Sequence, residues 1–250
     1  MLDQIIQHKK KEIESMMLPK QASVPRYSFK SALEKPKRSL ALIAEIKRAS
    51  PSKGVINETA DPIMVAKQYL NGRADCLSIL TDERFFHGKK SYIELVKRHV
   101  KLPVLRKDFI IDEKQIEESV RIGADAILLI GEVLPPSKLH HFYQKAYENE
   151  LDVIVEVHSD ETLLRILDLF QPEIVGVNNR DLTTFQTNVK HTENIIVQIP
   201  KETLVISESG IFTPDHIGYV KSLGADGVLV GESLMRSSNQ QEAIKRLFGE

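Results

Sequence analysis

Five short apolar segments end in charged or amide side chains. They are Ala44-Glu45-Ile46-Lys47, Leu105-Arg106-Lys107-Asp108, Val155-Glu156-Val157, Asn178-Asn179-Arg180-Asp181 and Ser207-Glu208-Ser209-Gly210. An unpaired charge on an apolar strand is costly, so these groups are expected to face one another. Three carboxylates (Glu45, Glu156, Glu208) and two ammonium groups (Lys47, Lys107) are the side-chain types that move protons to and from a reacting carbon skeleton. A structural ion-pair network is the plainer reading of any one of them. Five converging on one rim favour a catalytic site. Glu45 and Lys47 lie two residues apart, as do Asn178 and Arg180, so each pair shares one side of an extended chain.

A second signal is a pair of small-residue turns, Ser207-Glu208-Ser209-Gly210-Ile211 and Val230-Gly231-Glu232-Ser233. Small residues let backbone N–H groups approach an anion, and a short helix starting near Glu232 would direct its positive end there. Two such turns suggest a phosphorylated small-molecule substrate. Glu232 fits only if its carboxylate turns away and the residue offers its backbone alone. The stretch Arg48-Ala49-Ser50-Pro51-Ser52-Lys53-Gly54 suits a lid over an anionic substrate or a plain surface loop. His158 follows Val157 and is expected to be a solvated or supporting histidine, because glutamates fill the base role.

The elements that must position these groups are legible as a repeat. Eight apolar runs recur: LALIAEIK (40–47), CLSIL (76–80), PVLRK (103–107), AILLI (126–130), DVIVEV (152–157), IVGVN (174–178), LVISE (204–208) and GVLV (227–230). Most are apolar at both alternating positions, as in strands covered on both faces. Segments 62–70, 91–99, 113–122, 136–149, 161–170, 189–199, 214–223 and 241–248 carry apolar residues at helical spacing. Asp61 followed by Pro62 predicts a capped helix start, and Gly123 and Gly224 stand where helix C-terminal glycines belong. Gly-Ala-Asp recurs at 123–125 and 224–226, each just before a strand.

Eight such units predict an α/β fold, the (β/α)8 or TIM barrel, whose active site lies at the C-terminal ends of the strands. An open doubly wound sheet is the alternative, but no GxGxxG turn follows the first run. Residues 1–250 are read as a single domain, with an N-terminal helical extension (1–39) before the barrel (40–250). Helices are expected over 2–18, with Leu2, Ile5, Ile6, Ile13 and Met17 as its apolar contacts, and over 28–33. The Lys9-Lys10-Lys11 run reads as a solvated helix face.

Composition narrows the class. The 250 residues carry 34 Lys and Arg against 35 Asp and Glu, a net charge of −1, which argues against a nucleic-acid partner. The hydrophobic share of 42% and charged share of 28% suit a globular chain. One cysteine, Cys76, permits neither an intramolecular disulfide nor a cysteine-based zinc site, in keeping with a cytoplasmic location. The longest apolar run, 126–131, is too short to span a membrane, and charges occupy the N-terminus where a signal peptide needs apolar residues.

Taken in order, AEIKRASPSKG, TDERFFHG, VLRKDFIID, GADAILLI, VEVHS, GVNNRDL, SESGI and VLVGESLM closely resemble the indole-3-glycerol-phosphate synthase family of tryptophan biosynthesis, over essentially the whole chain. The resemblance implies a cofactor-free and metal-free lyase, and the chain is expected to be a monomer. It would cyclise 1-(2-carboxyphenylamino)-1-deoxyribulose 5-phosphate to indole-3-glycerol phosphate with loss of CO2 and water. By motif, Lys107 is the acid for ring closure and Glu156 the base for dehydration. Glu45 and Lys47 form the first-strand pair, with Lys47 contacting substrate anions and able to assist hydroxyl loss. Asn178 and Arg180 would orient the anthranilate end, and Glu208 and Ser209 would line the site. Phe86 and Phe109 would pack on the aromatic ring. Ser50, Gly210, Gly231 and the backbone of Glu232 would hold the phosphate; the family often has serine where Glu232 stands. Other chemistries remain open to these residues: a phosphosugar isomerase, a Schiff-base aldolase using Lys107 or Lys47, or a phosphate-binding barrel without activity.

Overall fold

The computed structural model describes residues 1–181 and 186–250; Leu182, the last residue of the GVNNRDL motif, lies outside them. Eight parallel strands, β1 (Ala41–Ile46), β2 (Cys76–Leu80), β3 (Val104–Lys107), β4 (Ala126–Ile130), β5 (Asp152–Val157), β6 (Ile174–Asn178), β7 (Leu204–Glu208) and β8 (Gly227–Val230), follow the eight apolar runs. They close in sequence order, β8 pairing with β1. Helices lie between successive strands, so the fold is a (β/α)8 barrel.

Strand alternation divides the core into two. One buried cluster takes Ala41, Ile43, Cys76, Leu105, Ala126, Leu128, Ile130, Ile154, Ile174, Ile206 and Leu229, the inward rows. The opposite rows (Leu42, Ala44, Leu77, Val104, Ile127, Val153, Val155, Val175, Val205, Val228) pack against the helices. Continuing the inward rows by steps of two gives Ala41-Ile43-Glu45, Leu105-Lys107, Ile154-Glu156, Ile174-Gly176-Asn178 and Ile206-Glu208. Each row is apolar where the strands begin and polar where they end. Arg106, one residue out of phase, is buried in the outer layer and bonds to Asp108, Glu118, Ser119 and the Gln115 carbonyl.

The extension holds two helices, α1 (Leu2–Glu14) and α2 (Phe29–Glu34). Ser28 caps α2 by accepting from Ser31 N. Phe29 and Leu33 join the inward cluster and fill the end at which the strands begin; Asp152, at the start of β5, accepts from Lys30 N. The Gly-Ala-Asp repeat has a structural reason at the same end. Asp125 and Asp226 accept from the first backbone N–H of β3 and from Val205 N in β7, each at 2.8 Å, and Asp75 does the same for Leu42 N. Gly123 and Gly224 take left-handed φ values of 87° and 98° at the preceding helix ends, where a Cβ would be strained.

Two expectations need correction. The first helix ends at Glu14, before Met17, which is 88% exposed and contributes no core contact. The lysine run is not uniformly solvated: Lys10 and Lys11 are exposed, but Lys9 is 1% exposed and pairs with Glu12, Asp82 and Asp108 at 2.9, 3.1 and 2.9 Å. Helical spacing alone could not reveal those partners, because two of them arrive from the barrel. The segment after β1, read as a lid or a surface loop, holds a small antiparallel hairpin, Ala49–Ser50 against Gly54–Val55.

Candidate active site

One cavity opens at the C-terminal ends of the strands. Its lining includes Glu45, Lys47, Lys107, Glu156 and Glu208 together with Asn178, Arg180, Ser209, Phe86 and Phe109. Lys107 Nζ lies 2.5 Å from Glu156 Oε2 and 3.0 Å from Glu208 Oε2. Beside it, Lys47 Nζ is 2.6 Å from Glu45 Oε1, and Ser78 Oγ reaches Glu45 Oε2 at 3.5 Å. The barrel register sets this meeting: Glu156 pairs with Gly176 across β5 and β6, and Asn178 with Glu208 across β6 and β7. A Cβ at Gly176 would overlap Glu208 Oε1, so the bare backbone there gives the carboxyl its place.

Electrostatics fix the protonation pattern. Burial opposes the Lys107 ammonium, but Glu156, Glu208 and Glu45 outweigh it and hold its pKa above the ordinary lysine value. Burial likewise opposes the Glu156 carboxylate, yet Lys107 and His158 hold it below the usual range. Glu208 goes the other way: burial, reinforced by the Glu156 charge, exceeds the pull of Lys107 and raises its pKa. Two carboxyls sharing one lysine are thereby separated into a firmly ionised group and one that protonates readily. A lysine kept as an ammonium is a proton donor; the Schiff-base route needs the free amine.

The flanking groups are ordered by local bonds. Asn178 Oδ1 accepts from Arg180 N at 3.1 Å. Phe86 and Phe109 place their ring centroids 6.1 Å apart at 40°. Phe86 ends a short helix capped by Asp82, which accepts from Phe85 N at 2.7 Å. Ser50, Gly210, Gly231, Glu232 and Ser233 line the same cavity. Ser209 and Gly210 both have left-handed φ (69° and 75°), so the chain turns tightly there. The Glu232 carboxylate pairs with Arg236 at 3.0 Å, one helical turn further on.

The sequence left His158 open between a solvated and a supporting role, and did not single out Asn179 or the first residues of the chain. His158 Nε2 lies 3.0 Å from Glu156 Oε1. Its side chain is 8% exposed, so it is not a solvated histidine. Asn179 donates to Ser207 Oγ and to the Ser209 carbonyl and accepts from Thr192, tying the end of β6 to the Ser209 turn. Met1, Leu2 and Ile5 also line the cavity. Only the i, i+2 spacing of Glu156 and His158 was a local signal. Among the described residues, no group of three or more His, Cys, Asp or Glu side chains is placed to hold a metal ion. No helix among them is long and apolar enough to cross a membrane.

A closed parallel barrel with a lysine–glutamate cluster and glycine turns in a cavity at its strand ends has the architecture of the (β/α)8-barrel enzymes, whose active sites lie at that end. Solved structures with the same fold include 3-hexulose-6-phosphate synthase from Salmonella typhimurium. It matches with a TM-score of 0.66 and 12% identity over 84% of this chain and 97% of that one. Thiamine phosphate pyrophosphorylase from Pyrococcus furiosus matches with a TM-score of 0.60 and 16% identity over 84% and 94%. At these identities the likeness concerns the fold alone. The family model described as indole-3-glycerol phosphate synthase matches residues 2–247. Proteins of that name from Bacillus pumilus and Priestia megaterium are 57% and 55% identical over 250 residues, covering all of this chain and 100% and 98% of theirs. The chain belongs to the indole-3-glycerol phosphate synthase family, and its activity is that of this decarboxylating lyase of tryptophan biosynthesis.

Proposed function

We propose that the chain turns 1-(2-carboxyphenylamino)-1-deoxyribulose 5-phosphate into indole-3-glycerol phosphate, CO2 and water, with Lys107 and Glu156 carrying the principal proton transfers. The observation that supports this best is the Lys107 ammonium shared by Glu156 and Glu208, in the cavity that also holds the two glycine turns.

Ring closure joins the carboxyl-bearing ring carbon to the ribulose carbonyl carbon. The carbonyl π pair moves to oxygen, and Lys107 stabilises that oxygen and delivers its proton there. CO2 then leaves, its bonding pair returns to the ring, and recovered aromaticity drives the step. Dehydration needs a base for a methylene proton beside the nitrogen and an acid for the departing hydroxyl. Glu156 takes the first role, because its two cationic neighbours keep it ionised. Lys47, held by Glu45, supplies the second proton.

Glu208 keeps Lys107 aimed, and Asn178 and Arg180 orient the anthranilate end. Phe86 and Phe109 pack on the ring, while Ser209 lines the site. Ser50, Gly210, Gly231 and the backbone of Glu232 grip the phosphate, which positions the flexible chain for closure. We read the enzyme as a monomer in the cytoplasm; its single cysteine, Cys76, is buried and free, as suits a reducing compartment.

The test is to add the carboxyphenylamino-deoxyribulose phosphate and follow indole fluorescence. Lys107→Met should lower turnover by about two or more orders of magnitude while substrate still binds. Near wild-type turnover removes Lys107 from the mechanism. A lysine adduct trapped by borohydride would favour an aldolase instead.

A further inference from the structure

His158 is fixed at four points. Its backbone N–H donates to Glu132 Oε1 at 2.8 Å, and its carbonyl accepts from His191 Nε2 at 2.7 Å. Its ring Nδ1 lies 2.9 Å from the Arg180 carbonyl, and Nε2 lies 3.0 Å from Glu156 Oε1. Both ring partners are oxygens that only accept. A neutral imidazole has one N–H and would leave a lone pair facing one of them. Satisfying both bonds needs protons on both nitrogens.

We propose that His158 is a positioning residue of the active site: its doubly protonated ring clamps Oε1 of Glu156 to the backbone at Arg180. The carboxylate thereby stays in place when Lys107 turns to the substrate carbonyl. This rests on the reading of Glu156 as the dehydration base. At rest Glu156 is held at both oxygens, Oε2 by Lys107 and Oε1 by His158. Once Lys107 engages the substrate oxygen, Oε2 can accept a proton while the His158 bond keeps hold of Oε1. A general base loses efficiency when its reach drifts.

The surroundings support a charged ring. Glu156 faces it along its own strand, and Glu132 approaches from the end of β4. Arg180 contributes its carbonyl from the end of β6, His191 bonds the backbone, and Lys107 and Glu208 lie beyond Glu156. Burial works against the imidazolium, but Glu156 and Glu132 prevail and push its pKa up to about 9.

The test combines ring NMR with kinetics. In 15N-histidine-labelled protein, assigned with His158→Gln, both ring nitrogens of His158 should be protonated at about neutral pH. The titration midpoint should fall toward the free-histidine value of about 6.5 in Glu156→Gln. A neutral ring in the wild type overturns the proposal whatever the turnover of the variants. In turnover, His158→Leu should lower kcat by about 100-fold and His158→Gln, which keeps one donor, by about tenfold, with KM within about twofold for both. An unchanged kcat in folded His158→Leu, equal losses in both variants, or a loss confined to KM overturns it. Full activity in Glu156→Gln would instead remove the base assignment beneath it.

Discussion

Gly231 and Glu45 occupy adjoining space so closely that a Cβ at position 231 would overlap Glu45 Oε1. The same carboxylate holds Lys47 at 2.6 Å, so the proposed phosphate turn and an acid–base pair share one wall. Gly231 has a φ of −123°, and the penalty for a side chain there is contact with Glu45 rather than left-handed strain. Gly231→Ala is expected to push Glu45 off its lysine and lower kcat/KM by about 10- to 100-fold with little change in Tm. Steady-state fluorescence and a thermal melt measure both; unchanged kcat/KM would mean that the carboxylate yields freely.

Glu156→Gln separates the steps. Loss of a base needed only for dehydration should leave CO2 release nearly intact and slow indole formation by about 100-fold or more. Measuring the two products in one reaction decides it. Equal slowing of both would place Glu156 before decarboxylation.

Protonation of His158 links the site to stability. Its pKa is raised in the fold from 6.5 to about 9, so the folded chain keeps a proton that the unfolded chain releases between those values. The stabilisation is complete below about pH 6.5 and is lost as pH rises through about 9. Glu208 is also raised and has the same sign, whereas Glu156 is lowered and loses its contribution as pH falls through the acid range. The denaturation midpoint of the wild type should therefore fall more between about pH 6 and about pH 9.5 than that of His158→Gln, since Glu208 contributes in both. Parallel pH dependences would show that His158 carries no extra proton in the folded state.

Lys9 pins the N-terminal helix to the barrel. Burial disfavours its ammonium, but Asp108, Asp82 and Glu12 more than compensate and raise its pKa. Removing it takes the cation from buried Asp82, the cap of the Phe86 helix, and one of two cations from Asp108, which keeps Arg106. Lys9→Met should destabilise the fold by about 3 kcal/mol, a Tm drop of roughly 6–12 °C in a chain of this size. Lys10→Ala and Lys11→Ala, which alter exposed residues, should stay within about 0.5 kcal/mol. Similar melts for all three would dismiss the pin.

Much of the architecture is written locally. Runs apolar on both faces marked the eight strands, and Asp61 marked a helix start that the structure caps as expected. The period-two rows that begin Ala41-Ile43 and end Glu45-Lys47 announced which side of each strand would carry charge, because side-chain direction in a strand depends only on position. Partnership was not written there. Lys9, Lys10 and Lys11 are chemically identical in sequence, and only the arrival of Asp82 and Asp108 from the barrel buries one of them. His158 read equally as a solvated or a supporting histidine until strand closure set the Arg180 carbonyl and Glu156 on its two ring nitrogens. Local geometry fixes where a side chain points, but the Coulomb and hydrogen-bond energies that set its charge come from groups the fold brings in from elsewhere.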